Sequence, residues 1–114
     1  MEAAQKLITP RTKAILVNNP SNPCGSVYSK DHLLEIVDFA RRNDIIIISD
    51  EVYGDMVFND NVFHPMGSIS KDVPVVEIGG SAKIFLVPGW RLGWIVLHDR
   101  GGLMKEVCHN QERI

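Results

Sequence analysis

Lys83 closes the run Gly79-Gly80-Ser81-Ala82-Lys83, and Arg91 follows eight residues later, beyond Pro88-Gly89. An amine preceded only by small residues suits close approach by a flat ligand or formation of a covalent bond, and a guanidinium beyond the turn suits an anion. A loop lysine beside a turn is the plainer reading of so short a pattern, because short motifs recur by accident. Three further groups lie upstream. Asp50 and Tyr53 stand in Asp50-Glu51-Val52-Tyr53-Gly54, directly after Ile45-Ile46-Ile47-Ile48-Ser49, and Asn22 stands in Asn19-Pro20-Ser21-Asn22-Pro23-Cys24-Gly25. Taken singly, Asp50 could cap a helix, Tyr53 pack as an aromatic, Asn22 serve a turn and Arg91 sit on the surface as a cation. Chemistry requires that one fold bring them to one place.

The elements that would do so are legible. Ala14-Ile15-Leu16-Val17-Asn18 and Ile45-Ile46-Ile47-Ile48-Ser49 are apolar runs without polar alternation, the pattern of strands buried on both faces. Between them, two Asn-Pro pairs and a closing glycine force a loop, and Ser29 is placed to cap a helix running to about Asn43. On that helix Leu33, Ile36, Val37 and Ala40 share one face. Strand, helix and strand of this kind predict a right-handed βαβ unit with ligands bound beyond the carboxyl ends of the strands. A third strand is predicted over Val73–Ile78 and a fourth over Arg91–Leu97. Before the first strand, Met1 to Ile8 reads as the tail of a helix. Asp55 to Asp72 reads as loop with a short helical turn, and Leu103, Met104, Val107 and Cys108 read as the stripe of a last helix.

With those strands in order, three successive strand ends present Asn22, then Asp50 and Tyr53, then Lys83, with Arg91 returning after the turn. An imine-forming lysine, a carboxylate for a protonated ring nitrogen, an amide and a phenol for a ring hydroxylate, and an arginine for phosphate form a binding set for pyridoxal 5'-phosphate.

Composition narrows the partners. The chain has 114 residues, 45% of them hydrophobic, with 12 Lys+Arg against 14 Asp+Glu and a formal charge of -2. One globular unit of α/β class is expected, without internal repeats or a linker. No basic run favours nucleic acid, no apolar stretch approaches the ~20 residues of a membrane span, and the amino terminus has no signal-peptide pattern. The two cysteines form no CxxC pair and the four histidines show no ligand spacing. A reducing, cytoplasmic setting is the expectation, with no metal.

Three stretches, Asn19-Pro-Ser-Asn-Pro-Cys-Gly25, Asp50-Glu-Val-Tyr-Gly-Asp-Met-Val-Phe58 and Ser81-Ala-Lys-Ile-Phe-Leu-Val-Pro-Gly-Trp-Arg-Leu-Gly-Trp94, resemble the fold-type-I pyridoxal-phosphate-dependent aminotransferases, most nearly the tyrosine aminotransferase branch. The resemblance spans nearly the whole chain. It implies that Lys83 holds the cofactor covalently and shuttles a proton between the substrate α-carbon and the cofactor, that Asp50 meets the pyridinium nitrogen, that Asn22 and Tyr53 meet the 3'-oxygen, and that Arg91 meets the phosphate. The family's phosphate-binding serine three residues before the lysine is Gly80 here, and Ser81, one position later, is the candidate replacement. A cis peptide at Asn22-Pro23 is also implied.

The resemblance further implies amino-acid and 2-oxo-acid substrates, with tyrosine and 2-oxoglutarate expected, a homodimer, and a longer polypeptide in which residues 1–114 are the middle of the large domain. The other parts of such an enzyme would supply a phosphate-cradling loop, an aromatic against the cofactor ring and an arginine for the substrate carboxylate. A polypeptide limited to these residues is expected to leave one sheet face partly uncovered, to hold the cofactor no better than a surface lysine does, and to transfer no amino group. Alternatives are another fold-type-I enzyme, such as a carbon-sulfur lyase or one resembling aminocyclopropane-carboxylate synthase, and a non-catalytic piece of such an enzyme. A nucleotide-binding module is the weakest, since Gly79-Gly80 lacks the GxGxxG and GxxxxGK[ST] spacings.

Overall fold

The computed structural model describes residues 1–104. Four strands, β1 (Ala14–Asn18), β2 (Ile46–Asp50), β3 (Val75–Gly80) and β4 (Gly93–His98), form one sheet in the order β1-β2-β3-β4. β1, β2 and β3 run parallel, and β4 is antiparallel to β3. The parallel steps are connected by long segments, one of them containing the helix α2 (Lys30–Arg42). The last step has no such crossover: the chain makes a helical turn at Ser81–Ile84 and a 3-10 turn at Pro88–Trp90, then returns beside β3, which forces the antiparallel sense.

The predicted α2 is present, and Ser29 caps it by accepting a hydrogen bond from the His32 backbone N–H at 3.3 Å. Leu33, Ile36, Val37 and Ala40 are buried as their spacing required, and Phe39 joins them. α2 and the short helix at Met66–Ile69 cover one face of the sheet, where Val17, Ile47 and Val75 pack against Leu33, Phe39 and Met66. Each such side chain contributes about 1.5–3 kcal/mol of burial. Two glycines make room on this face. A Cβ on Gly67 would stand 2.3 Å from the His98 ring, and one on Gly79 would stand 2.2 Å from the Trp94 indole.

The opposite face carries the rows Leu16–Ile48–Val76–Leu97 and Asn18–Asp50–Ile78–Ile95. Here Leu16 is 68% and Ile95 64% exposed, so the partly uncovered face expected from the shortage of helices is present. β3 begins two residues later than predicted and includes Gly79 and Gly80, because both glycines pair with β4. The amino-terminal helix, α1, is a single turn, Glu2–Gln5. Leu103 and Met104 lie in a turn rather than a helix, and Val107 and Cys108 lie outside the described residues.

Arg41, at the end of α2, grips Asp72 just before β3 with two hydrogen bonds of 2.6 and 2.7 Å. The guanidinium holds the Asp72 carboxyl below its usual 3.8. A carboxyl whose folded value is depressed stabilises the fold above its unfolded value and loses that contribution as pH falls through the folded one. Asp72→Asn is therefore expected to lower the thermal midpoint slightly at pH 7, with the gap to wild type closing as pH falls below about 3.8. The effect is small because both side chains are about half exposed. A gap that persists at low pH would mean Asp72 acts by packing alone.

Candidate active site

Asn22 is placed by its own loop. Asn18, the last residue of β1, accepts the Asn22 backbone N–H at 2.7 Å through its side-chain oxygen, and the buried Asn19 accepts the Tyr28 N–H at 2.9 Å the same way. The asparagines of this stretch thus act as backbone substitutes, which is why a loop bearing two prolines and three asparagines can hold one shape. The peptide at Asn22-Pro23 is cis, as is that at Asn19-Pro20. Asn22 and Tyr53 line one cavity of ≈200 Å³, together with Pro20, Pro23, Met56 and Phe58.

Asp50 is the final residue of β2 and the Cα partner of Asn18 on one side and Ile78 on the other. Its carboxylate accepts the Val52 N–H at 3.4 Å, a weak turn bond; a full helix does not follow, so the capping alternative reduces to this contact. Glu51, the next residue, turns to the other face of the sheet. One of its carboxylate oxygens accepts both the Ser49 hydroxyl and the Met66 N–H, each at 2.8 Å. Burial pushes the Glu51 carboxyl up, against the pull of those two donors. Nearby on that face, Glu77 bonds the His98 Nε2 at 2.9 Å.

Lys83 lies in the helical turn that follows β3, with its Nζ 5.6 Å from the centroid of the Tyr53 ring, within cation–π range. Ser81 is 2% exposed, and its N–H and hydroxyl both donate to the Leu92 carbonyl at 3.1 Å. This ties the Lys83 turn to the residue after Arg91. Arg91 itself has φ 51°, and Leu86 has φ 55°. Each left-handed non-glycine residue costs about 1–2 kcal/mol, and such outliers cluster at ligand sites. The Arg91 guanidinium donates locally to the Pro88 carbonyl at 3.3 Å.

Lys83 and Tyr53 are therefore brought into contact, Asn22 and Tyr53 share a cavity, Asp50 occupies the next strand end, and Arg91 faces solvent beside its turn. The donor set fits pyridoxal phosphate chemically: Lys83 for the carbonyl carbon, Asp50 for the ring nitrogen, Asn22 and Tyr53 for the ring oxygen, and Arg91 for the phosphate. Asn18 and Glu51, which hold the backbone beside these residues, carry no signature in the sequence that singles them out beyond polarity at the end of an apolar strand.

The family model for aminotransferases of class I and II matches residues 1–114. The tyrosine aminotransferase of Dictyostelium discoideum is 56% identical over 103 residues, 90% of this chain and 25% of that protein. The tyrosine aminotransferase of Homo sapiens is 53% identical over 100 residues, 88% of this chain and 22% of that one. An S-alkyl-thiohydroximate lyase of Arabidopsis thaliana is 44% identical over 105 residues, 92% of this chain and 23% of the lyase. Among solved structures, the alanine aminotransferase of Pyrococcus furiosus matches with a TM-score of 0.88 at 40% identity, covering 95% of this chain and 27% of that one. The tyrosine aminotransferase of Leishmania infantum also gives 0.88 at 40%, covering 91% and 28%. The chain spans about a quarter of the length of the curated relatives it matches. With the mostly parallel sheet, the lysine turn after its third strand and a family match along the whole sequence, the chain belongs to the class I and II aminotransferases.

Proposed function

We propose that residues 1–114 are part of the large, cofactor-binding domain of a longer polypeptide that transfers the amino group of an aromatic L-amino acid, tyrosine first, to 2-oxoglutarate. The observation that carries this reading is the Lys83 amine over the Tyr53 ring at the strand edge that also bears Asp50. Bound pyridoxal phosphate supplies the electron sink for the charge left on the substrate when its α-proton departs.

The chain's own residues supply the rest. Lys83 would hold the cofactor through its amine, and the same amine, when free, would take up and return the proton of the substrate α-carbon. Asp50 sets its negative charge at the ring nitrogen, so that the nitrogen keeps its proton. Asn22 and Tyr53 orient the ring through its oxygen. Arg91 takes the phosphate, and Ser81 reaches it only by exchanging its bond to the Leu92 carbonyl. A homodimer in the cytoplasm is the assembly this reading carries with it.

A second reading, α,β-elimination from an S-substituted cysteine, is favoured by the similarity to the Arabidopsis lyase. Both use the same lysine and aspartate. The full-length polypeptide, purified with pyridoxal phosphate, is expected to convert L-tyrosine and 2-oxoglutarate into the aryl 2-oxo acid and glutamate. Ammonia release from an S-alkyl cysteine, without glutamate formation, would establish the elimination reading instead.

A further inference from the structure

Asp50 can serve a ring nitrogen only if its carboxylate lies on the right face of the sheet and at the right depth, and the adjacent Glu51 is built to enforce both. Side chains alternate along a strand, so a slip of one residue would turn Asp50 to the opposite face. The Glu51 N–H extends the β2–β3 ladder one step by donating to the Ile78 carbonyl at 3.0 Å, while on the other side the Asp50 carbonyl accepts the Asn19 N–H at 3.1 Å. The Glu51 carboxylate then locks the register. It sits on the covered face with Ser49, whose hydroxyl it accepts, and takes the Met66 N–H at the start of the helix packed beneath. With Ser49 and Glu51 bound on the covered face, Asp50 between them is directed to the other. Glu77, the nearest acid on β3, is engaged with His98 from β4, which leaves the Glu51 oxygen to these two donors.

We infer that Glu51 is a positioning residue for Asp50, acting through the Ser49 hydroxyl and the Met66 N–H, an inference that rests on the aminotransferase reading above. Glu51 touches neither substrate nor cofactor. Its effect is on how closely Asp50 holds the ring nitrogen.

The test uses the full-length holoenzyme reconstituted with pyridoxal phosphate labelled with ¹⁵N in the ring. Glu51→Ala is expected to shift the ring-nitrogen signal toward the unprotonated form and to lower kcat about 100-fold with KM within about threefold. In cofactor-free protein the same variant should exchange the amide hydrogens of residue 51 and Met66 faster, both of which are bonded in the wild type. Glu51→Gln keeps an oxygen acceptor for both donors and is expected to stay within about fivefold of wild type. Combined with Asp50→Asn, Glu51→Ala should add little, because both act on one contact. A normal ring-nitrogen signal and kcat in a Glu51→Ala protein that merely melts earlier would overturn the inference, as would full additivity with Asp50→Asn. Should Glu51→Ala fail to fold, Ser49→Ala removes one donor and leaves the other. It is expected to give the same signature at smaller size, and an unchanged nitrogen signal there would also overturn the proposal. A wild-type holoenzyme without amino transfer would remove the catalytic reading, yet its ring-nitrogen signal would still decide the role of Glu51.

Discussion

Lys83→Ala in the full-length polypeptide is expected to abolish amino transfer, a loss of at least about 10⁴-fold or ~5.5 kcal/mol, since under the proposed function one side chain would both anchor the cofactor and move the proton. The fold should survive the change. Lys83 lies in a four-residue helical turn, its amine reaches out over the Tyr53 ring, and alanine is the best helix former. Folded variant without turnover is therefore the expected result, read from circular dichroism beside the tyrosine assay. Borohydride treatment of the wild-type holoenzyme should fix the cofactor to the peptide that contains Lys83. Recovery of the label on Lys71, which precedes the start of β3 rather than following its carboxyl end, would sink the assignment.

The parts of this site that could be read in advance share one physical cause. Ala14–Asn18 and Ile45–Ser49 are apolar without alternation, so their strand character and burial follow from the hydrophobic effect alone, and the polar residues after them had to be at strand ends. The α2 stripe and its Ser29 cap are equally local. The two glycines of β3 were less legible, because their place in the strand depends on pairing with Gly93 and Trp94, a contact between segments. The same limit applies to Ser81. The family resemblance made it a candidate phosphate contact one position away from the family's serine, while the Leu92 carbonyl that takes its hydroxyl lies just before β4, eleven residues on. Glu51 was invisible for a related reason: its partners are two residues and fifteen residues away, and an acid after a strand looks like any solvated acid until Met66 is packed beneath it. Local chemistry was legible, and the positioning bonds that connect distant segments were not.

That division also separates what Asp50 does from what merely accompanies it. Asp50→Asn keeps the shape of the side chain and an oxygen acceptor for the Val52 N–H, so the turn after β2 and the pairing with Asn18 and Ile78 should persist. Only the charge goes. If that charge holds the ring nitrogen protonated, its loss weakens the electron sink at the step where the α-proton leaves, and kcat is expected to fall by about 10³-fold or more, ~4 kcal/mol. KM should move far less, because the contact strengthens in the transition state rather than in substrate binding. Single-turnover kinetics with L-tyrosine, compared with the thermal midpoint of the same preparation, separates the two. A variant within threefold of wild type would reduce Asp50 to a turn residue bonded to Val52. A large loss with an unchanged midpoint would identify the carboxylate as the charge that the site is built to present.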